Sequence, residues 1–594
     1  MPIFFSKTND IIPRLNRLNL ACIALFLLFL FIGITNHIWL RANEISPFWD
    51  ESRHLVTTIR YANAIPHSPN ILKAIWGIDH PYPPLFFLAS VPICLIWGNS
   101  LKVLAMSNLT FFAILIFSVY KTGEKLFNKK VGLLATFMTA MSPLVFGPSR
   151  MFLLEFASAA MIMPGIHLLI ATEYFSNRKY SVLFGLSIGL GMLTRETFFI
   201  FLLGPTIYIL YEAFSKPGAE KRKKTINLSI SLVIGSILSL PYYLKNLSYY
   251  FMGDFREGFL SFWGRIICLR EPFGWEGIVT MLFFLLIAIL ISRIHKFRAR
   301  GYTKILVWFF IFILAGFCWS DKKVILKLTW YALNLKDQIG LPFLIVFLLC
   351  LPYFLRSGKN KGFLLSWIIV PYCFFTFPFF YDSFIRWQSR FTIPYLPAIA
   401  LISASCILNI KNKISRTTII YAILILGVIH FFNLSFGLPI KNDKVNRAIQ
   451  ILTEPKKGNW WLIHRPVKDN YWDVPEILKW IQGDMQKAQK ENAVINLLVD
   501  TSEINPETFH YYILANRLPF SIFLGKKQLS MADYVISLSN PQSWHWAFQK
   551  DRILGFYDAF KEISGDFVLV KEFDKFYIFK KLDSTLYIYR NKSQ

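Results

Sequence analysis

The chain has little charge and few cysteines for its length of 594 residues. Only 17% of the residues are charged and 54% are hydrophobic, which is too apolar for a soluble protein of this size. The seven cysteines form no CxxC pair and none follows position 406, which excludes a disulfide framework and a thiolate metal site. The sequence also lacks internal repeats and low-complexity linkers.

Acidic residues are scarce as well, since 36 Asp and Glu stand against 64 Lys and Arg. In a soluble protein the resulting net charge of +28 would suggest a nucleic-acid partner. Here the basic residues lie mostly in short connections between apolar segments, where they set the orientation of membrane spans. The composition therefore predicts a membrane protein that binds no nucleic acid.

Apolar runs near the length of a bilayer span recur before residue 441. The first is too long for the apolar core of a signal peptide and no small-residue cleavage site follows it, so we interpret it as a retained span. Together the runs predict an α-helical polytopic protein with about thirteen spans. They are 18–40, 103–120, 131–147, 156–175, 180–193, 197–214, 226–245, 277–292, 304–318, 340–355, 363–380, 391–410 and 418–437.

One further apolar segment, 83–98, is not counted as a span. It is short and contains Pro83, Pro84 and Pro92, so helices along the outer interface fit it better. With this choice every alternate connection is basic and joins the N-terminus on the cytoplasmic side, including the lysine-rich loop 121–130. The odd number of spans then places the C-terminus outside.

From residue 441 onward, strand and helix patterns alternate, which predicts a soluble α/β domain. The chain is therefore divided into a transmembrane domain, 1–440, with a first outer loop at 41–102, and an outward-facing α/β domain, 441–594. The predicted strands and helices of the second domain are 493–500, 505–516, 520–524, 533–538 and 549–563, followed by a hairpin of 567–573 and 576–581.

The first outer loop carries two polar motifs. Asp50 and Glu51 are adjacent carboxylates just after the first span, where one could abstract a proton while the other orients it or binds a cation. A solvated loop pair is the alternative. His80 is followed by three prolines in four positions, which fix a rigid backbone that could hold the histidine near the carboxylates or could simply end a loop.

Three later motifs place further charges at the outer ends of spans. In RMFLLE, Glu155 could be a second acid facing Asp50 and Arg150 a phosphate ligand, or the two could form an interfacial ion pair. In GLGMLTRE, close helix packing explains the glycines but does not explain Arg195. The motif RWQSRFTIPYLP opens a span with two arginines suited to binding an anion, Arg386 and Arg390.

In their order and topology these motifs resemble the GT-C superfamily of integral-membrane glycosyltransferases. The similarity is to bacterial members of the protein O-mannosyltransferase and aminoarabinose transferase group (glycosyltransferase families 39 and 83). The predicted layout is similar to that of the aminoarabinose transferases, whereas the adjacent Asp-Glu pair resembles the O-mannosyltransferases. Two departures are Glu155 where relatives often have Asp, and Arg195 where the family usually has lysine.

The resemblance implies a GT-C fold and an enzyme that moves a sugar from a polyprenyl phosphate to a hydroxyl or phosphate of an envelope acceptor, with inversion. The membrane would be a bacterial inner membrane and the reacting face periplasmic. Asp50 would be the general base, and Arg195, Arg390, Arg386 or Lys245 would neutralise the phosphate. Some relatives use a divalent cation, for which Asp50, Glu51 and Glu155 could supply oxygen ligands, whereas others need none.

Two other classes of function remain open at this stage. A transporter or flippase of a lipid-linked saccharide would need polar groups near the middle of the membrane, and the span interiors are nearly free of ionisable residues. An envelope interaction protein would act through its C-terminal domain. The sugar, the acceptor (a lipid, a glycan or a protein), the metal requirement and the oligomeric state are not encoded in any of these patterns.

Overall fold

The computed structural model describes residues 11–215, 220–247, 331–376, 389–453, 455, 464–468, 474–501, 504–538, 550–577 and 582–592. These residues are mostly helical. Up to residue 453 the helices are α1 Ile11–Ala42, α2 Trp49–His67, α3 Ile71–Gly77, α4 Leu85–Trp97, α5 Leu101–Met106, α6 Asn108–Leu126, α7 Lys129–Ala140, α8 Pro143–Phe146, α9 Leu154–Ala171, α10 Arg178–Thr194, α11 Phe198–Phe214, α12 Lys221–Lys245, α13 Leu335–Ile339, α14 Leu341–Ser357, α15 Lys361–Thr376, α16 Leu396–Leu408, α17 Lys413–Phe436 and α18 Asp443–Thr453.

The predicted spans correspond to helices wherever the structure describes them, and the predictions for 277–292 and 304–318 lie outside the described residues. Within the described part, six helices are long and apolar enough to cross a membrane. A seventh candidate is the pair Lys129–Ala140 and Pro143–Arg150, which is bent by 69°. The protein is therefore a multi-pass membrane protein, and the total of thirteen spans stays a prediction.

The glycine motif at the end of α10 is explained by close packing, as predicted. A Cβ atom on Gly189 would lie 2.6 Å from the Cβ of Leu238 on α12, and one on Gly191 would lie 2.0 Å from the ring of Phe198. Small residues allow helices in a membrane to approach this closely. The packing fixes the end of α10, and with it Arg195.

The first outer loop is more helical than the sequence patterns suggest. Helix α2 occupies 19 residues of it, and its buried face packs against α4. Helix α4 has 13 residues and is about 20 Å long, whereas the hydrocarbon core of a bilayer is about 30 Å thick. This length agrees with leaving 83–98 out of the spans, and its position at the interface stays a prediction.

The C-terminal region contains a five-stranded sheet in the order β2-β1-β3-β5-β4. Strand β1 pairs in parallel with β2 and β3, and β5 pairs antiparallel with β3 and β4. The elements are α19 Val474–Lys487, β1 Ala493–Leu497, α20 Pro506–Ala515, β2 Phe520–Phe523, β3 Tyr534–Leu538, α21 Lys550–Ile563, β4 Phe567–Tyr577 and β5 Leu582–Asn591.

The predicted hairpin is wrong in its second strand. Asp574 and Lys575 lie inside β4 and pair with Thr585 and Ser584, so they do not form the turn. Strand β4 continues through Tyr577, and the returning strand begins at Leu582. The buried residues of β5 therefore come later in the chain than predicted.

Helix α20 joins the two halves of the protein. Its Phe509 and Ile513 pack into the core of the sheet, whereas its Tyr511 belongs to the large core of the helical region. The helix lies against α2, the helix that begins at Trp49. The C-terminal domain therefore rests on the element that carries the adjacent carboxylates.

Candidate active site

The adjacent carboxylates lie in the first turn of α2. Phe48 precedes the helix in an extended conformation, and Asp50 and Glu51 follow at its N-terminus, where negative charge is favoured by the helix dipole. Successive residues of a helix point about 100° apart, so the two side chains face different surroundings. Asp50 keeps 37% of its side chain exposed, whereas Glu51 is buried.

Asp50 belongs to a chain of alternating charges with Glu155 and two arginines. Arg390 Nη2 donates to Asp50 Oδ2 over 2.7 Å, and Arg390 Nε lies 3.1 Å from Glu155 Oε1. Arg195 Nη1 lies 3.0 Å from the same oxygen of Glu155. Arg390 thus connects the two carboxylates, and Glu155 connects the two arginines.

Each member of this cluster stands at the end of a structural element. Glu155 lies in the first turn of α9, Arg195 follows the last residue of α10, and Arg390 lies in a 3-10 segment, Ser389–Tyr395, that leads into α16. The guanidinium groups of both arginines pack on the ring of Phe391, at 5.1 and 5.2 Å from its centre. The rigid ends of three elements therefore fix the charges.

The cluster keeps Asp50 ionised. Desolvation by the surrounding protein would raise the pKa of the Asp50 carboxyl, but the charge of Arg390, with smaller contributions from His54 and Arg53, lowers this pKa to about 2. Asp50 is therefore a carboxylate throughout the physiological pH range. Its Oδ2 is bonded to Arg390, while its Oδ1 has no hydrogen bond to another described residue.

Glu51 faces the protein interior and bonds the backbone. Its Oε1 accepts a hydrogen bond of 2.8 Å from the amide of Phe152, and His54 Nδ1 lies 3.1 Å from the carbonyl oxygen of the same residue. Burial raises the pKa of the Glu51 carboxyl to about 7 and lowers the pKa of His54 to about 4. Both side chains fasten α2 to the segment that leads to Glu155.

Replacing Glu51 with glutamine should flatten the pH dependence of stability. Because the pKa of Glu51 is raised in the folded state, this carboxyl favours folding at low pH, and its contribution is lost as the pH rises through about 7. Glutamine keeps an oxygen for the Phe152 amide without the buried charge. Thermal unfolding in detergent should give a wild-type midpoint that falls between pH 5.5 and 8, and a smaller fall for Glu51→Gln.

Glu51→Ala provides the control for this experiment. It removes the acceptor and leaves a buried amide unpaired, which costs about 1–3 kcal/mol at both pH values. An equal fall of the midpoint with pH in the wild type and in Glu51→Gln would contradict the assignment of this titration to Glu51.

The structure places three of the other predicted site residues elsewhere. His80 Nε2 pairs with the hydroxyl of Tyr61 over 2.6 Å, and the histidine one turn after Asp50 is His54. Lys245 pairs with Asp79 over 3.2 Å. Arg150 donates to Asn36 and Ser435 and is enclosed by three aromatic rings: Trp39, Phe146 and Phe431. Arg386 lies outside the described residues.

In the structure, the three carboxylates predicted as metal ligands are not grouped around one position. Arg390 lies between Asp50 and Glu155 and pairs with both, so guanidinium groups occupy the position that a cation would need. Glu51 turns away to the Phe152 amide. Among the residues that the structure describes, no three His, Cys, Asp or Glu side chains are grouped closely enough to hold a metal ion. Arginine supplies the charge beside these carboxylates.

The chain is similar to one known protein family and to several solved structures. The model of the family "Dolichyl-phosphate-mannose-protein mannosyltransferase" matches residues 79–242, which include Glu155 and Arg195 but neither Asp50 nor Arg390. Among solved structures, apo ArnT from Cupriavidus metallidurans aligns over 95% of this chain and 97% of its own, with a TM-score of 0.53 and 9% identity. This chain has the GT-C fold.

A second structure of ArnT from Cupriavidus metallidurans, bound to undecaprenyl phosphate, aligns over the same shares of both chains, with a TM-score of 0.51 and 9% identity. At this identity the likeness extends to the fold alone. No curated protein sequence matches the chain. The GT-C fold accounts for the helical membrane region, and the C-terminal region that follows it contains a small sheet.

Proposed function

We propose that this protein transfers a sugar from a polyprenyl phosphate to an acceptor of the bacterial envelope, at the periplasmic face of the inner membrane. The observation that carries the proposal is the chain of charges Asp50–Arg390–Glu155–Arg195, placed at the ends of helices and beneath the C-terminal domain. It offers an ionised carboxylate for a hydroxyl and two guanidinium groups for a phosphate. The GT-C fold is consistent with both roles.

In the proposed reaction Asp50 is the general base. The acceptor hydroxyl donates a hydrogen bond to Oδ1 of Asp50, attacks the anomeric carbon of the donor from the face opposite the phosphate, and passes its proton to the carboxylate. The bond between the anomeric carbon and the phosphate oxygen breaks, and its electron pair leaves with the polyprenyl phosphate. The anomeric configuration is inverted. An acceptor phosphate would attack in the same way and would need no base.

Arg390 and Arg195 stabilise the leaving phosphate. Guanidinium groups bind phosphate oxygens bidentately, and a group fixed before the reaction stabilises developing charge without reorganisation. Both arginines are held by Glu155, whose second oxygen, Oε2, is buried without a hydrogen-bond partner among the described residues. In the proposed reaction this carboxylate orients the two cations.

The position of the C-terminal domain supports a membrane orientation for the cluster. The C-terminal domain lies on α2, so the cluster and this domain share one side of the membrane. The basic connections predict that the opposite side is cytoplasmic. We therefore assign the cluster to the periplasmic side, where a sugar on a polyprenyl phosphate and an envelope acceptor would meet.

A direct assay tests the proposed function. The purified protein is placed in lipid nanodiscs with undecaprenyl-phosphate-linked mannose or aminoarabinose and a bacterial envelope extract, in parallel buffers that contain either EDTA or a divalent cation. Mass spectrometry should detect free undecaprenyl phosphate together with an acceptor whose mass has grown by one sugar. Movement of the intact lipid-linked sugar across liposome membranes, without release of undecaprenyl phosphate, would instead identify a transporter and overturn the proposal.

A further inference from the structure

The C-terminal domain binds the first turn of α2 on the side next to the cluster. Arg53 donates through Nε and Nη2 to Oε1 of Glu507, over 3.1 and 2.9 Å. One turn earlier, Trp49 Nε1 donates to Asp500 over 2.7 Å. Trp49 and Arg53 are four positions apart and so lie on one face of the helix. Asp50, the member of the charge cluster on this helix, lies between Trp49 and Arg53 in the sequence.

Arg53 is also a potential partner for Asp50. Residues three positions apart on a helix are neighbours, with about 5–6 Å between their Cβ atoms, so Arg53 can reach the Asp50 carboxylate from the same helix. The Asp50 side chain is 37% exposed and that of Arg53 is 42% exposed, which leaves room for such a contact. In the structure both donating nitrogens of Arg53 point to Glu507 instead.

The domain stays on α2 through further bonds that do not involve Glu507. Thr508 Oγ1 donates to the carbonyl oxygen of Pro47 over 3.1 Å and lies 3.0 Å from Ser52 Oγ. Tyr511 on the same helix accepts the amide of Leu101 over 2.9 Å. The Arg53–Glu507 pair is partly exposed, with 42% and 29% of the two side chains accessible, and ion pairs near the surface contribute little to stability, about 0–1 kcal/mol. The other bonds are therefore expected to keep the domain on α2 without this ion pair.

We propose that Glu507 is a positioning residue that holds Arg53 away from Asp50, so that docking of the C-terminal domain on α2 leaves one oxygen of this carboxylate available to the acceptor. A second cation on Asp50 would occupy Oδ1, the oxygen that Arg390 leaves open. It would also lower the basicity of the carboxylate further. This inference rests on the proposed function, because it assigns the C-terminal domain a role in the same site.

Two single substitutions, at Glu507 and at Arg53, and their combination test the inference. In Glu507→Ala the released Arg53 pairs with Asp50, so kcat should fall about tenfold while KM for the lipid-linked donor changes less than about twofold. In Arg53→Gln no cation competes, and kcat should fall no more than about threefold. The double variant Arg53→Gln/Glu507→Ala should recover to the level of Arg53→Gln.

The recovery of kcat in the double variant distinguishes a positioning role of Glu507 from a role in stabilising the interface. If Glu507 merely stabilised the interface, the double variant would be as slow as Glu507→Ala or slower, and that result would overturn the inference. A wild-type kcat in Glu507→Ala would overturn it as well. The control is Asp558→Ala, which removes an exposed ion pair to Lys561 within the same domain. It should keep kcat within about twofold of the wild type, since exposed ion pairs contribute little.

A structure of Glu507→Ala, determined by electron cryo-microscopy, tests the geometry without any assay. The expected result is the Arg53 guanidinium within hydrogen-bond distance of Asp50. Arg53 still directed at the C-terminal domain would overturn the inference whatever the activity. If Arg53 moves to Asp50 in the variant but the wild-type protein transfers no sugar, Glu507 holds Arg53 as inferred and the proposed function is contradicted, so the two failures are distinguishable.

Discussion

Replacing Asp50 with asparagine should lower the rate of sugar transfer by about 10³-fold, within the range of about 10²–10⁴ for loss of a general base. Asparagine has nearly the same shape and keeps a carbonyl oxygen that accepts from Arg390, but it cannot take the proton of the acceptor hydroxyl. Release of undecaprenyl phosphate under donor saturation measures the effect. The affinity for the donor should change little, because Asp50 is assigned to the acceptor.

Glu51→Gln is the matched control, since it makes the same chemical change at the adjacent position. Its carboxyl bonds the Phe152 amide and is turned away from the charge cluster, so the variant should keep kcat within about threefold of the wild type. A full rate in Asp50→Asn together with a large loss in Glu51→Gln would reverse the assignment of the base. Equal and large losses in both, without a change in the unfolding midpoint, would argue against a single base.

The residues that form the charge cluster could be predicted from the sequence. Which arginine pairs with which carboxylate could not. The predicted topology places Asp50, Glu155, Arg195 and Arg390 on one face, because each follows or precedes an apolar run at its outer end. The same reasoning also places Arg150 there. Which arginine faces a carboxylate depends on the rotation of each helix end, and a position along the sequence does not determine that rotation. Arg150 turns to Asn36 and Ser435 instead.

Helix α2 is absent from the sequence prediction although a signal for it exists. Its buried residues Ser52, Leu55, Val56 and Ile59 follow the spacing of one helical face. The charged residues among them and the proline near its end make the segment look like a polar connection. Most of the stability of such a helix comes from burial against other elements. For α2 those elements are α4 and the distant helix α20, whose proximity only the fold reveals.

The motif at His80 lies directly before α4, with Pro84 as the N-cap of that helix. The imidazole of His80 contacts Tyr61 on the later part of α2, whereas His54 on the first part lies next to the Phe152 backbone. Because α2 was not predicted as a helix, the distance between its two ends could not be anticipated. A histidine at position i+4 from Asp50 was the available signal.

Replacing Arg390 with glutamine should lower kcat/KM for the lipid-linked donor by about 10²-fold, because the variant loses a fixed cation at the leaving phosphate. The change also removes a cation that is paired with both Asp50 and the buried Glu155, and breaking a buried pair costs about 3–5 kcal/mol of stability. Activity has to be compared at a temperature at which the variant is folded. Arg390→Lys keeps the charge without the bidentate geometry, so a smaller loss of about tenfold is expected.

The pH profile shows whether the effect of Arg390 reaches Asp50. Arg390 is the strongest of the neighbouring charges that hold the pKa of the Asp50 carboxyl at about 2, so its removal should raise this pKa. Protonation of the base then moves to higher pH, and kcat/KM of Arg390→Gln should begin to fall with acidification at a higher pH than in the wild type. Profiles of identical shape, displaced only in height, would mean that Arg390 serves the phosphate or the fold without acting on the base. An acid limb displaced to higher pH in Arg390→Gln, but not in Arg390→Lys, would establish that the charge itself keeps Asp50 ionised and ready for the acceptor.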